Sequence, residues 1–304
     1  MRFSIWPSAN QPWAEVLATA SYAEATGWDG VWVADHFMAN AAGPMPPETP
    51  TLEAGSMLAS LAAAVPRVRL GTLVLGNTYR HPAVVANMAA TIDHVSGGRL
   101  TLGLGAGWQV NEHEQYGIDL PPVRERVDRF AEAIEIVRSL LRRSTTTFAG
   151  RYYELKDAFC EPKPVQDPLP ILVGASGDRM LGIVARFADA WNTWGQPDHI
   201  AERSGALTRA CEAAGRDPDA LARTAQALVF VAGDEGDAAT IQRLVRQAPM
   251  PAIGGTVERL RDVVAAYAEA GLDELIVPDR SLGEGSAKFE RMDRLVEDVF
   301  PAFG

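Results

Sequence analysis

Between Arg99 and Gly117 the chain changes character within a few residues. Leu100, Leu102 and Leu104 alternate with Thr101, Gly103 and Gly105, the period-two pattern of a strand with one bulky face and one nearly bare face. Gly107 continues the bare side. Three glycines on one face imply close approach by a backbone or a flat ligand, or relief of crowding at a barrel bend. A polar segment with Trp108, Asn111, Glu112, His113 and Glu114 follows directly, as expected for a site at the end of a buried strand. The dinucleotide fingerprint Gly-x-Gly-x-x-Gly fails here, because its third glycine falls on Trp108 or on Val110.

The rest of the chain repeats a strand-then-helix rhythm. Strands are predicted at Phe3 to Trp6, from Gly30 to an abrupt end in Asp35 and His36, at Val68 to Leu75, from Leu100, at Ile171 to Val173, Ala188 to Trp194, Thr224 to Ala232 and Glu274 to Val277. Helices are predicted over Trp13 to Ala25, closed by Gly27, over Leu52 to Val65, from Pro82 to Val95, and from the Gly174 loop to Phe187. Further helices cover about 198–214, 237–247, 256–270 and 287–299. The clearest runs from Val123 to Leu141, with apolar residues at 123, 127, 130, 134, 137 and 141.

Eight strands, nearly all followed by a helix, predict an α/β fold, a (β/α)8 TIM barrel formed by one domain over residues 1–304. An open doubly wound sheet is the alternative. Insertions are expected at about 39–51, rich in Pro and Gly, at 108–122, and at 144–168, where Thr145 to Phe148 and Tyr152 to Leu155 form a hairpin before a Pro-spaced linker. In a barrel the chemistry gathers at the carboxyl ends of the strands. Asp35-His36, Asn77 to His81, Trp108 to Glu114, Gly174 to Gly177 and Asn192 to Gln196 all fall there.

Composition narrows the function. With 47% hydrophobic and 22% charged residues over 304 positions, the chain has apolar mass for a large core. No apolar run reaches the about eighteen residues of a membrane span, and the first ten residues lack a signal-peptide pattern, so a cytoplasmic location is expected. A net charge of −11 argues against nucleic acid and anionic membrane as partners. An anionic cofactor would then be held locally, by backbone amides or single arginines. Cys160 and Cys211 show no metal spacing and read as reduced and structural.

His36 ends the second strand, where an imidazole can serve as acid, base or hydrogen-bond donor near neutral pH, or can simply cap the strand through Asp35. His81 precedes Pro82 at a helix start and reads as positional, His94 and His199 read as helix-surface residues, and His113 is left undecided. Gly174, Ala175, Ser176 and Gly177 place backbone amides at a helix start, a cradle for phosphate. Metal-ligand spacing and the Gly-x-Ser-x-Gly hydrolase elbow are absent. A broad, flat, phosphorylated cofactor remains.

At this point the residues resemble the luciferase-like monooxygenase superfamily, and within it the branch that uses the deazaflavin coenzyme F420. The matching pieces are Trp32-Val-Ala-Asp-His-Phe, Arg69-Leu-Gly-Thr-Leu-Val with Tyr79-Arg-His-Pro, Gly98-Arg-Leu through Trp108 with Glu112-His-Glu-x-Tyr-Gly, Gly150-Arg-Tyr-Tyr, and Pro170-Ile-Leu-Val-Gly with Ala188-Asp-Ala-Trp-Asn. The resemblance implies a luciferase-like barrel with its planar ring in the mouth and His36 as the catalytic and cofactor histidine. It also implies a non-prolyl cis peptide near Leu73-Val74 behind the ring, and a phosphate-side loop at Gly174 to Gly177. Asp35, Gly105, Gly107, Trp108 and Trp194 complete the expected cofactor site.

One departure stands out. In the sugar-phosphate dehydrogenase branch a catalytic Glu follows the third glycine, and this chain has Trp108 there. Gln109 and Val110 also replace an Asn-Glu common in nearer relatives. Glu112 and His113 are then proton-donor candidates, against a bland reading as solvated loop charges, and Trp6, Trp32, Trp108, Trp191 and Trp194 suggest an aromatic-lined mouth. The expected function is hydride transfer between reduced F420 and a small organic molecule. The alternatives are an FMN-dependent two-component monooxygenase fed by a separate flavin reductase, and a non-catalytic flavin-binding barrel. A homodimer is expected.

Overall fold

The computed structural model describes residues 1–233 and 235–303. In chain order the elements begin β1 (Arg2–Trp6), α1 (Trp13–Thr26), β2 (Gly30–Val33), α2 (Ala54–Ala64), β3 (Arg69–Thr72), β4 (Leu75–Gly76), α3 (Pro82–Ser96) and β5 (Leu100–Gly105). They continue with α4 (Val110–Tyr116), α5 (Val123–Arg142), the antiparallel hairpin β6 (Thr146–Ala149) and β7 (Glu154–Ala158), β8 (Ile171–Gly174), α6 (Asp178–Phe187), β9 (Ala190–Trp194) and α7 (Pro197–Ala213). The last are β10 (Ala222–Gln226), β11 (Leu228–Val231), α8 (Ala238–Gln247), β12 (Ala252–Gly255), α9 (Val257–Glu269), β13 (Glu274–Pro278) and α10 (Gly285–Arg294).

The parallel sheet runs β3-β2-β1-β13-β10-β9-β8-β5-β4 and closes through β3 against β5. With β3 and β4 counted as two halves of one strand, this is a closed eight-stranded barrel ringed by helices, a (β/α)8 fold. Leu100, Leu102 and Leu104 point outward into the layer shared with Ile134, Val137 and Leu140 of α5, as their alternation requires. Inside, Trp32, Leu172, Ala190 and Ile276 pack as a separate cluster. Glu274 completes the floor: its buried carboxylate accepts from Ser4 Oγ at 2.6 Å and Trp32 Nε1 at 2.9 Å, and is flanked by Arg2 and Arg69 at 3.4 Å.

Helix ends follow local chemistry. Gly27 closes α1 at φ +92°, a conformation that favours glycine, and the Glu53 side chain caps α2 by accepting from Gly55 N and Ser56 N. His81 caps α3 by accepting from Ala83 N, so its positional role is borne out.

The structure corrects the expected pattern in four places. The third strand is interrupted at the non-prolyl cis peptide Leu73-Val74, the bond the resemblance implied. The seventh does not run unbroken from Thr224 to Ala232: β10 stays in the barrel, while β11 turns away to pair with β12. β12 was not expected, because a four-residue Ala-Ile-Gly-Gly segment after Pro251 carries no readable periodicity. Within the insertion at 108–122, residues 110–116 form α4, which is too short to show a helical stripe.

Candidate functional site

A cavity of about 1080 Å³ opens at the carboxyl end of the barrel. Every residue of the expected cofactor site lines it: Asp35, His36, Leu73, Val74, Gly105, Gly107, Trp108, Gly174, Ala175, Ser176, Gly177 and Trp194.

His36 and Asp35 do not pair with each other; each has its own partner. Asp35 is buried, accepts from Gly76 N at 2.8 Å, and forms a two-pronged pair with Arg80, Nη1 to Oδ2 at 2.7 Å and Nη2 to Oδ1 at 2.9 Å. The same guanidinium reaches Glu53 Oε1 at 2.5 Å, so one arginine ties the end of β2 to β4 and to the entry of α2. His36 turns the other way, and its Nδ1 lies 2.9 Å from Glu112 Oε1. Tyr79 OH also donates to that oxygen, and Phe37 N donates to Oε2 at 2.8 Å.

Glu112 is therefore no solvated loop charge. It is fully buried on α4, as is its neighbour His113 at 1% exposure. Burial would raise the Glu112 carboxyl above its ordinary range, but the hydrogen bonds from His36, Tyr79 and Phe37 outweigh that and hold it below. Burial, followed by the bond to Glu112, pushes the Tyr79 phenol well above its ordinary value. The ionised carboxylate accepts only, so the proton on His36 sits on Nδ1 and leaves Nε2 as the ring's free nitrogen. His113 is engaged on both sides, Nδ1 with Gln109 O at 2.5 Å and Nε2 with Thr78 Oγ1 at 2.7 Å, and acts as a buried brace. Gln109 and Asn111 bond to the backbone carbonyls of Met38 and Ala39 at 3.0 Å and hold down the loop after β2.

The bare face of β5 receives its neighbour's backbone and side chains. A Cβ on Gly103 would stand 1.9 Å from Thr72 O, and one on Gly105 would stand 2.5 Å from Val74 Cγ2. Gly174 likewise leaves room for Val74, with an added Cβ 3.0 Å from its Cγ2. Val74 thus lodges between β5 and β8, and with Leu73 lines the cavity as an apolar wall on the third-strand side.

Of the five tryptophans expected at the mouth, Trp32 and Trp191 are corrected: Trp32 seals the floor, and Trp191 belongs to the outer core with its Nε1 on Ala175 O at 2.7 Å. Trp108 and Trp194 line the cavity, and Trp6 packs against Trp194 with centroids 5.8 Å apart. Trp108 is 57% exposed and meets the His36 ring edge-on at 5.5 Å and 83°.

The cavity's arginines lie along one arc. Arg124 and Arg126 come from the start of α5 and Arg179 from the start of α6. Arg126 Nη1 donates to Gly107 O at 2.8 Å, while its buried Nε has no partner among the described residues. Gly177 begins α6 without a side-chain cap, so the first-turn amides are left for another acceptor. An apolar wall, an uncapped helix start and an unsatisfied arginine nitrogen suit a planar ring carrying an anionic tail. Tyr79 and Arg80 could have been found through their place in the Tyr-Arg-His-Pro piece. Gln226, also in the lining, is marked only by being polar in the apolar stretch Ala225 to Leu228.

The luciferase-like monooxygenase family matches residues 1–249. The chain belongs to this family. A similar relative is the F420-dependent glucose-6-phosphate dehydrogenase of Kineococcus radiotolerans, 34% identical over 76% of this chain and 67% of that protein. Among solved structures, the coenzyme F420-dependent tetrahydromethanopterin reductase of Methanopyrus kandleri superposes with a TM-score of 0.83 at 17% identity, covering 100% of this chain and 99% of that one. An F420-dependent secondary alcohol dehydrogenase in complex with an F420-acetone adduct superposes with a TM-score of 0.84 at 22% identity, covering 100% of both chains. These two likenesses establish the fold. No described helix is long and apolar enough to cross a membrane.

Proposed function

We propose that this chain is an oxidoreductase that uses coenzyme F420 and exchanges a hydride with a small organic molecule. The observation that carries the reading is the His36–Glu112 pair at the rim of a cavity whose opposite features suit a flat, anionic cofactor. Leu73 and Val74 would support the ring, while the Gly174 to Gly177 loop and Arg126 would meet its phosphate side.

When bound, the deazaflavin gives or accepts the hydride. The chain's own atoms handle the proton. In the oxidation of an alcohol, the hydroxyl proton passes to His36 Nε2 as the hydride leaves carbon, and the resulting imidazolium is held by the Glu112 carboxylate. In the reverse direction His36 returns that proton to the carbonyl oxygen. Asp35, committed to Arg80 and Gly76, fixes the strand end that carries His36.

Fluorescence titration of the purified chain with F420 and with FMN tests the reading. Saturable quenching by F420 and none by FMN is expected, and tight FMN binding with no response to F420 overturns it in favour of a two-component monooxygenase with a reductase partner. The same reading takes the enzyme as a cytoplasmic homodimer, on the strength of the family resemblance. Sedimentation of the pure protein checks the dimer.

A further inference from the structure

In a barrel of eight strands, positions four apart face each other across the axis. Val74 stands on the third strand position and Gln226 ends β10, the seventh, so the two lie on opposite sides of the cavity they both line. A ring seated on Val74 therefore leaves Gln226 beyond its other face, where the second reactant must lie.

Gln226 is 5% exposed, and among the described residues its side-chain amide meets no protein partner, with Oε1 buried and unsatisfied. Buried amides are almost always hydrogen-bonded, so an idle one in a cavity wall marks a place kept for a ligand group. Its neighbour in register is Trp194, backed by Trp6, and the adjoining wall adds Asn192 and Thr193. None of these carries a charge. The cavity's arginines stand instead on the α5 and α6 side.

We propose that Gln226 is the polar anchor of a substrate subsite for an uncharged, largely apolar molecule bearing a hydroxyl or carbonyl group, held against Trp194. The proposal rests on the F420 reading for its division of the cavity into a cofactor half and a substrate half. An amide offers two N–H donors and a carbonyl acceptor and no charge, which suits an alcohol or ketone oxygen and gives a phosphate no counter-ion. Trp108, set edge-on against His36, extends the apolar surface toward the proton-transfer site. A sugar phosphate would meet no cation on this side.

The test compares the wild-type holoenzyme with Gln226→Leu, which keeps the bulk, and Gln226→Asn, which keeps the amide. Each is titrated with F420, and its KM is measured for 1-phenylethanol and for glucose 6-phosphate. Wild type is expected to oxidise 1-phenylethanol in preference to the sugar phosphate. Gln226→Leu is expected to raise KM for 1-phenylethanol at least about tenfold with the F420 dissociation constant within twofold of wild type, and Gln226→Asn to recover part of that loss. An unchanged KM, an F420 affinity that falls with the amide, or a preference for glucose 6-phosphate overturns the proposal. If wild type binds no F420, the cofactor reading fails by itself. Calorimetric titration with acetophenone then still decides the subsite: binding lost in Gln226→Leu upholds it, and equal binding, or none in wild type, overturns it.

Discussion

His36 Nδ1 and Glu112 Oε1 lie 2.9 Å apart although 76 residues separate them in the chain. The contact joins the end of β2 to α4 and fixes which imidazole nitrogen is free. Replacing Glu112 with Gln keeps the shape but removes the charge that stabilises the imidazolium. We expect kcat to fall about 10- to 100-fold, with F420 affinity unchanged. Replacing His36 with Ala should lower turnover at least about tenfold; an unchanged rate in steady-state assays would leave it a structural role only.

The Asp35–Arg80 pair is a matter of stability. Its side chains are 0% and 14% exposed, and removing Asp35 leaves Arg80 in a closed site with Glu53 as its remaining carboxylate partner, while removing Arg80 leaves the Asp35 carboxylate buried with the Gly76 N–H. Asp35→Ala is expected to cost about 3 kcal/mol or more in urea unfolding. A loss below about 1 kcal/mol would show that Glu53 or water takes over the place of the Asp35 carboxylate at Arg80.

The glycines of β5 and of the α6 loop should respond differently to a methyl group. Gly103→Ala would drive its Cβ against a backbone oxygen that cannot rotate away, with an expected cost of about 3 kcal/mol. Gly177→Ala meets nothing within 4 Å, and its φ of −83° suits any residue, so stability should stay within about 0.5 kcal/mol. Thermal melts of the two variants separate these outcomes. A weaker F420 response in the stable Gly177 variant would place the added methyl in the cofactor's way.

Glu53 gives the fold a pH dependence. Burial opposes its charge, but hydrogen bonds from Ser56, Gly55 and Arg80 prevail and lower it from 4.5 to about 2. The native state then binds a proton less readily than the unfolded chain. This stabilisation is fully present above pH 4.5 and is lost as pH falls toward 2. Because the side chain is 36% exposed, solvent screening reduces the contribution to about 1 kcal/mol. Unfolding of Glu53→Gln and wild type at pH 7 and pH 4 checks it: the gap between them should narrow at the lower pH.

The barrel was legible because its outward-facing rows are apolar and regularly spaced. Leu100, Leu102 and Leu104 announced β5, and the stripe from Val123 to Leu141 announced α5. Two of the glycines beside those leucines were harder to read. Gly103 and Gly105 make way for Thr72 and Val74 of the adjoining strand, and the glycines alone do not tell a neighbouring strand from a flat ligand as what comes close. Glu112 was visible as chemistry but not as a buried partner, since seven residues of α4 are too few to display which side faces inward. Gln226 is legible only once the fold shows that its buried Oε1 has no donor among the described residues.

The packed floor of Trp32, Ile276 and Glu274 has a kinetic consequence. A barrel closed below has one doorway, so whatever occupies the Val74 wall and whatever follows it enter and leave by the same route. Under the proposed reading, coenzyme and alcohol share that opening, and excess alcohol should slow turnover by hindering the exchange of reduced coenzyme.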